Sequence, residues 1–331
     1  MAEADLFDTR PQVKKTRLNV LPVNPEAADP DKAVGPGRFP SWLHRKLPKG
    51  SDLKETGKII DENRLHTVCE EAKCPNLLEC WSKKTATFLI MGKACTRNCG
   101  FCSIDFDKAP KALEGDEPMR VADSVKKLGL KHVVITMVAR DDLADGGASH
   151  LASVIETVRK EAGEVTVEVL TSDFNGSEHS LDIVIAAQPE IFNHNIETVR
   201  ELTPRVRHKA TYDKTLSLLA YVRKHPAASN LMVKSGIMVG LGETDDQVKQ
   251  TIRDLHENGC EIITIGQYLQ PDRTKLRVKA FISPDQFKAY EEFGYSLGVK
   301  YMYCGPFVRS SYNANLVIKQ AKNQIKTIQS S

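Results

Sequence analysis

The stretch TATFLIMGKACTRNCGFC, residues 85–102, joins a short apolar run to a loop with three cysteines. Five similar β-rich runs follow, at HVVITMV (132–138), VTVEVL (165–170), EIFNHN (190–195), LMVKSGIMVG (231–240) and EIITIGQYL (261–269). Amphipathic stretches of helical length separate most of them. Strands that alternate with helices predict a parallel sheet with right-handed crossovers. We therefore expect an α/β fold, a partial (β/α)6 TIM-like barrel, whose chemistry lies in the loops after the strands.

The cysteines of this chain are clustered. Six of the eight fall within residues 69–102, in two groups. We name these the first triplet, Cys69, Cys74 and Cys80, and the second triplet, Cys95, Cys99 and Cys102. In a chain with no export signal, clustered cysteines indicate metal ligands or redox groups rather than disulfides.

The spacing within each triplet favours an iron–sulfur cluster. The second triplet, C-x3-C-x2-C, can place three thiolates on one face of a [4Fe–4S] cluster and leave one iron open. Phe101 lies beside Cys102 and could stack on a purine. A structural zinc site is the alternative, but it needs a fourth ligand. The first triplet, C-x4-C-x5-C, also leaves a [4Fe–4S] cluster one ligand short, whereas an electron-transfer cluster normally has a fourth cysteine.

Composition excludes several classes of protein. The chain has 331 residues, with 46 Lys+Arg against 43 Asp+Glu, and a net charge of +3 is too small to indicate a nucleic-acid-binding protein. No apolar run is long enough to span a bilayer, and the acidic N-terminus resembles neither a secretory signal nor a transit peptide. We therefore expect a cytoplasmic protein without nucleic-acid or membrane partners.

The chain divides into four predicted parts. Residues 1–50 contain seven prolines and are expected to form an extended arm. Residues 51–84 carry the first triplet and residues 85–300 the barrel. Residues 301–331 form a C-terminal segment that contains GPFVRSSYNAN.

The motifs resemble those of a known family. The second-triplet loop resembles the signature of radical S-adenosylmethionine enzymes. The succession C-x4-C-x5-C, C-x3-C-x2-C and a late RSSY is similar to that of the lipoyl synthases, as are TATFLIMG, VEVLT, IFNHNIETV, GIMVGLGET and GPFVRSSY in the same order. The resemblance implies insertion of two sulfur atoms, at carbons 6 and 8 of an octanoyl chain on a lysine of a lipoyl carrier domain. It also implies two [4Fe–4S] clusters and S-adenosylmethionine as cofactors.

The resemblance further implies roles for individual residues. The second triplet would bind the radical-forming cluster, and the first triplet would bind an auxiliary cluster that donates its sulfur. Ser311, the second serine of RSSY, would complete the coordination of the auxiliary cluster, and Ser310 is its neighbour. The expected cofactor contacts are Phe101, Arg140, Asp141, Glu168, Asn193 and Asn195. Each of the polar residues among them could equally form a structural salt bridge or a helix cap.

The resemblance implies partners too. The octanoylated carrier would be a glycine cleavage H protein or a 2-oxoacid dehydrogenase acyltransferase, and a ferredoxin or flavodoxin type reductant would supply electrons. Arg205, Arg207 and Lys209 are candidates for contact with an acidic carrier. Two alternatives remain open at this point: another sulfur-inserting radical enzyme, and a non-catalytic zinc-stapled α/β binding module.

Overall fold

The structure of this chain is a computed structural model that describes residues 38–44 and 52–311. Most of the predicted arm, residues 1–50, therefore lies outside the described residues. Its described part contains a short 3-10 helix, Ser41–Leu43, and the ring of Phe39 lies 5.3 Å from the ring of Phe281. No helix within these ranges is both long and apolar enough to cross a bilayer.

The described residues form ten strands and ten α-helices. The strands are β1 His66–Thr67, β2 Thr87–Ile90, β3 Ala94–Cys95, β4 Asp105–Phe106, β5 His132–Met137, β6 Thr166–Leu170, β7 Ile191–Asn193, β8 Met232–Val239, β9 Ile262–Gln267 and β10 Tyr301–Gly305. The helices are α1 Asp52–Glu62, α2 Val68–Glu71, α3 Leu77–Ser82, α4 Glu117–Lys127, α5 Ala148–Ala162, α6 Glu178–Ala186, α7 Thr203–Val206, α8 Tyr212–Lys224, α9 Asp245–Glu257 and α10 Pro284–Ser296.

One eight-stranded sheet organises the fold, in the order β1-β2-β5-β6-β7-β8-β9-β10. All its pairings are parallel except that of β1 with β2. The six predicted strands are confirmed as β2 and β5 to β9. The sheet also continues beyond the predicted boundary at residue 300, because β10 pairs along β9 over five residues. The run YMYCG is short and has no alternation of apolar and polar residues, so its periodicity did not identify a strand.

The two faces of the sheet have different environments. Val133 and Ile135 of β5 belong to the main apolar core, together with Val121 of α4 and Ile155 of α5. Val134, between them, lines a cavity on the opposite face. Successive side chains of a strand alternate between faces, so one face packs against the helices and the other lines the interior of the barrel. The interior face is where the candidate site lies.

The capping residues explain where several helices begin. Thr244 is the N-cap of α9, and its side chain and that of Gln247 form a reciprocal capping box. The preceding turn needs left-handed backbone, since φ is 99° at Gly240 and 116° at Gly242, as the GLGET segment predicts. Ser283 is the N-cap of α10 and its side chain accepts from the Gln286 amide, with a proline as the first helical residue.

Candidate active site

The first triplet lines a cavity of about 140 Å³. The lining includes Cys69, Cys74, Cys80 and Ser311, together with Thr87 and His132. Thr87 and His132 are the first residues of β2 and β5, so the cavity lies against the N-terminal ends of two neighbouring strands. The structure thus brings together three thiols that are close in sequence and a serine that lies more than two hundred residues further along the chain.

Local contacts hold the first triplet in place. Thr67 caps the short helix α2, which carries Cys69, and the amide of Cys74 donates to the Cys69 carbonyl at 3.0 Å. Helix α3 carries Cys80, and α3 is attached to α1 because Thr56 Oγ1 donates to the Trp81 carbonyl at 2.9 Å. The Asn76 side chain donates to the Phe307 carbonyl at 2.8 Å. This last bond joins the first-triplet segment directly to the C-terminal segment.

The C-terminal segment crosses the interior face of the sheet. Ile263 and Ile265 of β9 belong to the helix-side core, so Gly266 points to the interior. A Cβ atom on Gly266 would lie 2.1 Å from the Val308 carbonyl oxygen, and one on Gly236 of β8 would lie 3.1 Å from Ser310 Oγ. We call residues 308–311 the strap. Two glycines without side chains leave the room through which the strap passes.

The two serines of the strap, Ser310 and Ser311, make different contacts. Ser310 Oγ donates to Asn195 Oδ1 at 2.9 Å, whereas Ser311 lines the cavity of the first triplet. Asn195 in turn donates to the carboxylate of Glu197 at 3.1 Å. The position of Ser311 therefore depends on a hydrogen bond made by the residue beside it.

The second triplet follows the opposite end of β2. Its loop is fixed by the amide of Thr96, which donates to the Ala139 carbonyl at 3.0 Å, and by the amide of Gly100, which donates to the Val206 carbonyl at 3.0 Å. Three residue steps of about 3.3 Å separate the two ends of β2, which is about 10 Å. The two triplets thus lie at opposite ends of the same barrel strand.

A buried ion-pair network anchors the second-triplet loop. Arg97 lies between Cys95 and Cys99, and it donates to both carboxylate oxygens of Asp141, at 2.9 and 2.7 Å. Its guanidinium also lies 2.6 Å from Asp173, whose side chain is fully buried. Burial opposes ionisation of Asp173, but Arg97 outweighs it and lowers the pKa of Asp173 to about 2. A charged, inflexible anchor therefore holds the loop from inside the barrel.

The thiols fit a polynuclear metal group. Burial, together with the nearby thiols, raises the pKa of Cys69 to about 12 and that of Cys80 to about 11. Burial also raises the pKa of Cys99 to about 12 and that of Cys102 to about 11. Such thiols ionise only beside a strong positive charge, and bound metal supplies that charge. The donor sets, three thiols in each case, are those of [4Fe–4S] clusters.

Within residues 38–44 and 52–311, no three His, Cys, Asp or Glu side chains come close enough together to hold a single metal ion. Thiolates that bind a [4Fe–4S] cluster attach to different irons, so they need not converge on one point.

The expected cofactor residues have varied surroundings. Asp141 is occupied by Arg97, and Lys209 Nζ lies 3.2 Å from it as well, so its geometry is that of an anchor. Arg140 is bound to Asp142 at 2.7 Å, but its Nη1 is buried without a hydrogen-bond partner among the described residues. Phe101 packs against the apolar cluster that contains Tyr268.

A polar group in the barrel interior surrounds Glu168. Lys234 Nζ lies 2.8 Å from Glu168 Oε1, and Asn193 Nδ2 donates to the same oxygen at 3.1 Å. Burial would raise the pKa of Glu168, but Lys234 and His132 outweigh it and hold the pKa below its usual value. Glu168 Oε2 and His132 Nε2 lie 3.6 Å apart, which is too far for a hydrogen bond, and neither they nor Asn193 Oδ1 have a hydrogen-bond partner within the described part of the chain. Unpaired buried polar atoms are typical of a site for a polar ligand or ordered water.

Four members of this site were not predicted from the sequence: Arg97, His132, Asp173 and Lys234. Lys234 had a detectable signal, because it is a lone charge inside the apolar run LMVKSGIMVG. The others depend on contacts between distant segments, which spacing does not reveal.

One expectation for the surface is wrong. Arg207 was a candidate for contact with an acidic partner, yet it is only 5% exposed. Its Nε donates to the Ala210 carbonyl at 2.8 Å, and its Nη1 donates to the Asn195 carbonyl. Burial next to Arg207 also lowers the pKa of His194 to about 4, which keeps that imidazole neutral. Arg207 is a structural residue inside the barrel wall.

Comparisons with known proteins agree with this geometry. A family model described as the Radical SAM superfamily matches residues 89–255. The lipoyl synthase of Protochlamydia amoebophila (strain UWE25) is 66% identical over 311 residues, which are 94% of this chain and 96% of that protein. The lipoyl synthase of Chlamydia trachomatis serovar A is 52% identical over 306 residues, 92% of this chain and 97% of that protein. Streptococcus suis SuiB, in a crystal structure bound to S-adenosylmethionine, has a similar fold at 12% identity, with a TM-score of 0.50 over 69% of this chain and 54% of that chain.

Proposed function

Because the chain belongs to the lipoyl synthase family of the radical S-adenosylmethionine superfamily, we propose that its two triplets divide one reaction between them. The activity is the radical insertion of two sulfur atoms, at carbons 6 and 8 of protein-bound octanoyl-lysine, with S-adenosylmethionine and [4Fe–4S] clusters as cofactors. In our proposal the second triplet holds the radical-forming cluster. The first triplet and Ser311 hold the auxiliary cluster that donates sulfur.

One observation carries this proposal. The three thiols of the first triplet and Ser311 line a single cavity at the N-terminal end of β2, while the second triplet follows the C-terminal end of that strand. A fatty acyl chain that enters the barrel could then face one site from each side. When bound, S-adenosylmethionine and the cluster of the second triplet supply hydrogen abstraction from unactivated C–H bonds, and the cluster of the first triplet supplies sulfur.

The chain's own residues hold these sites in position. Arg97, with Asp141 and Asp173, fixes the second-triplet loop, so that Asp141 acts as an anchor in place of the direct cofactor contact that the resemblance implied. The strap carries Ser311 into the first-triplet cavity. A hydroxyl is a harder ligand than a thiolate and holds a soft, sulfide-rich iron centre less firmly. A ligand of this kind suits an iron that has to leave when the sulfur is used.

The barrel interior supplies contacts for the cofactor and excludes water. We propose that the unpaired Nη1 of Arg140 binds a carboxylate, and that Asn193 and Asn195 bind hydroxyl groups. Phe101 is proposed to pack against a purine, and Glu168 to accept from a donor through Oε2, which lies 3.6 Å from His132 Nε2. Enclosure of these groups by the sheet and the strap protects reactive species from solvent.

The proposed activity also has consequences for the domain organisation, the partners and the cellular compartment. We propose that residues 51–84 carry the auxiliary site, residues 85–305 form the barrel, and residues 306–311 close on the first triplet. Octanoylated carrier domains are the protein substrates, and a ferredoxin or flavodoxin type reductant supplies electrons. All eight cysteines are free, which is consistent with our proposal of a reducing, cytoplasmic compartment.

Anaerobic reconstitution with iron and sulfide tests the proposed function. The loaded protein is expected to contain two clusters, and to add two sulfur atoms to an octanoyl-lysine peptide when S-adenosylmethionine and a reductant are present, as read by mass spectrometry. A protein that binds zinc without labile sulfide, or that forms 5′-deoxyadenosine but never a thiolated peptide, would contradict it. The second outcome would favour a radical enzyme with another substrate.

A further inference from the structure

The loop between Tyr268 and Ser283 and the neighbouring helix α7, both beside the second triplet, carry basic residues. Between Tyr268 and Ser283 the chain has four basic residues and a single acid, Asp272. Arg205, on helix α7, lies next to this loop, because Gly100 is in contact with both segments. We define the basic rim as Arg205, Arg273, Arg277 and Lys279, whose side chains are exposed.

Short contacts fix the position of the basic rim. The amide of Leu276 donates to the Gly100 carbonyl at 2.9 Å, and the amide of Gly100 donates to the Val206 carbonyl at 3.0 Å. Lys73 and Asp272, 3.6 Å apart, connect the same loop to the first-triplet segment. The loop therefore spans from one triplet segment to the other. It follows the C-terminal end of β9, and the second triplet follows the C-terminal end of β2; we call this end of the barrel the mouth.

The basic rim side chains form no ion pairs with the described residues. None of the four side chains has an ion pair or a hydrogen bond with any residue that the structure describes. Elsewhere on the surface many basic side chains are paired, as Lys127 is with Asp123 at 2.7 Å and Arg200 with Asp213 at 2.5 Å. An exposed group of unpaired cations around the mouth attracts an anionic partner and increases its association rate.

We propose that the basic rim is the docking surface for the carrier, a folded domain whose surface is acidic around its acylated lysine. This inference rests on the proposed function, since a substrate attached to a protein has to enter with its carrier held at the mouth. The barrel interior cannot admit the carrier itself, so recognition has to occur on the rim. A net charge of only +3 on the whole chain disfavours a nucleic acid as the occupant.

The test compares two variants that change the net charge equally. The rim variant combines Arg273→Glu, Arg277→Glu and Lys279→Glu. The control variant combines Lys126→Glu, Lys131→Glu and Lys224→Glu, which are exposed residues next to the N-terminal ends of β5 and β8, away from the mouth. Holoenzyme of each is titrated with an octanoylated carrier domain at several salt concentrations. Sulfur insertion into a short neutral octanoyl-lysine peptide is measured in single turnover.

The rim variant should bind the carrier about tenfold or more weakly at low salt, with a smaller dependence on salt, because charge steering is worth about 10- to 1,000-fold. Its yield on the short peptide should stay within about twofold of the wild type. Unchanged carrier binding, or an equal loss in the control variant, overturns the inference. So does an equal loss on the short peptide, or a loss confined to the binding of a short DNA duplex. A wild-type protein that never thiolates the peptide contradicts the proposed function instead.

Discussion

Substitution of Gly266 by alanine should separate the two halves of the reaction. A Cβ atom at this position would lie 2.1 Å from the carbonyl oxygen of Val308 and 3.1 Å from its carbonyl carbon. Ordinary carbon–oxygen contacts begin at about 3.3 Å, so the strap would have to move by about 1 Å. The obstacle is backbone, which cannot change rotamer to make room. The expected loss of stability is about 1–3 kcal/mol, as for other overpacked sites.

The displacement falls on Ser311, which lies three residues beyond Val308 and lines the first-triplet cavity. A misplacement of about 1 Å can reduce a rate about 100-fold. We therefore expect Gly266→Ala to lower sulfur insertion into an octanoyl-lysine peptide by about that factor. Formation of 5′-deoxyadenosine should remain within about twofold of the wild type, because the second triplet lies at the other end of β2.

The matched control is Gly305→Ala. Gly305 lies directly opposite Gly266 in the parallel ladder, but a Cβ atom there would meet only Val308 Cγ2, at 3.4 Å. That distance is an ordinary contact, so the control should insert sulfur nearly as well as the wild type. Equal activity of both variants would refute the argument that the strap needs this space. If Gly266→Ala lost 5′-deoxyadenosine formation to the same extent as sulfur insertion, the substitution would have disturbed the whole barrel and not the strap alone.

Three further predictions concern the triplets, the serines and the buried anchor. Replacement of any cysteine of the second triplet by serine should abolish 5′-deoxyadenosine formation; residual cleavage of S-adenosylmethionine would exclude that triplet as the radical site. Ser311→Ala should stop sulfur insertion and alter the electron paramagnetic resonance spectrum of the auxiliary cluster, whereas Ser310→Thr, which keeps the hydroxyl that binds Asn195, should retain more activity than Ser310→Ala. Full sulfur insertion by Ser311→Ala, together with its loss in Ser310→Ala, would make Ser310 the ligand. The pKa of Asp173 is lowered to about 2, so the stabilising ion pair with Arg97 is complete above about pH 4 and is lost as the pH falls through 2. In the cluster-free protein, Asp173→Asn should therefore be less stable than the wild type at neutral pH and should lose less stability than the wild type between pH 4 and pH 2. Identical acid denaturation curves for the two proteins would contradict this.

Local sequence patterns were sufficient to predict the first six parallel strands of the barrel, but not strand β10 or the strap. Each of the six predicted strands is an apolar run bounded by a helix with its own periodicity, so neighbouring residues contain the information. Strand β10 pairs through tyrosines and a glycine, and its place beside β9 is set by tertiary contacts. The strap is harder still, because Gly236 and Gly266 have meaning only once the strap lies against them.

In the candidate site, too, local motifs were predicted from the sequence and contacts between distant residues were not. Cysteine spacing identified both triplets, since each motif is local. Arg207 was expected to face a partner, because sequence gives no information on which charged side chains become buried, whereas the expected cofactor contact of Asp141 stays a prediction. In the structure Arg97 takes Asp141, and Arg207 is buried against Ala210 and Asn195. Charged residues inside a barrel wall are assigned by packing rather than by their order in the chain.

Isotope transfer tests the assignment of the two triplets most directly. Wild-type protein is reconstituted with 34S-labelled sulfide, freed of unbound label, and allowed one turnover on an octanoyl-lysine peptide; the same is done with Cys69→Ala, Cys74→Ala and Cys80→Ala combined. We predict that the wild-type product carries two labelled sulfur atoms, and that the triple variant still forms 5′-deoxyadenosine but leaves the peptide without sulfur. Thiolated peptide from the triple variant, or unlabelled sulfur in the wild-type product, would contradict a sulfur donor at the first triplet.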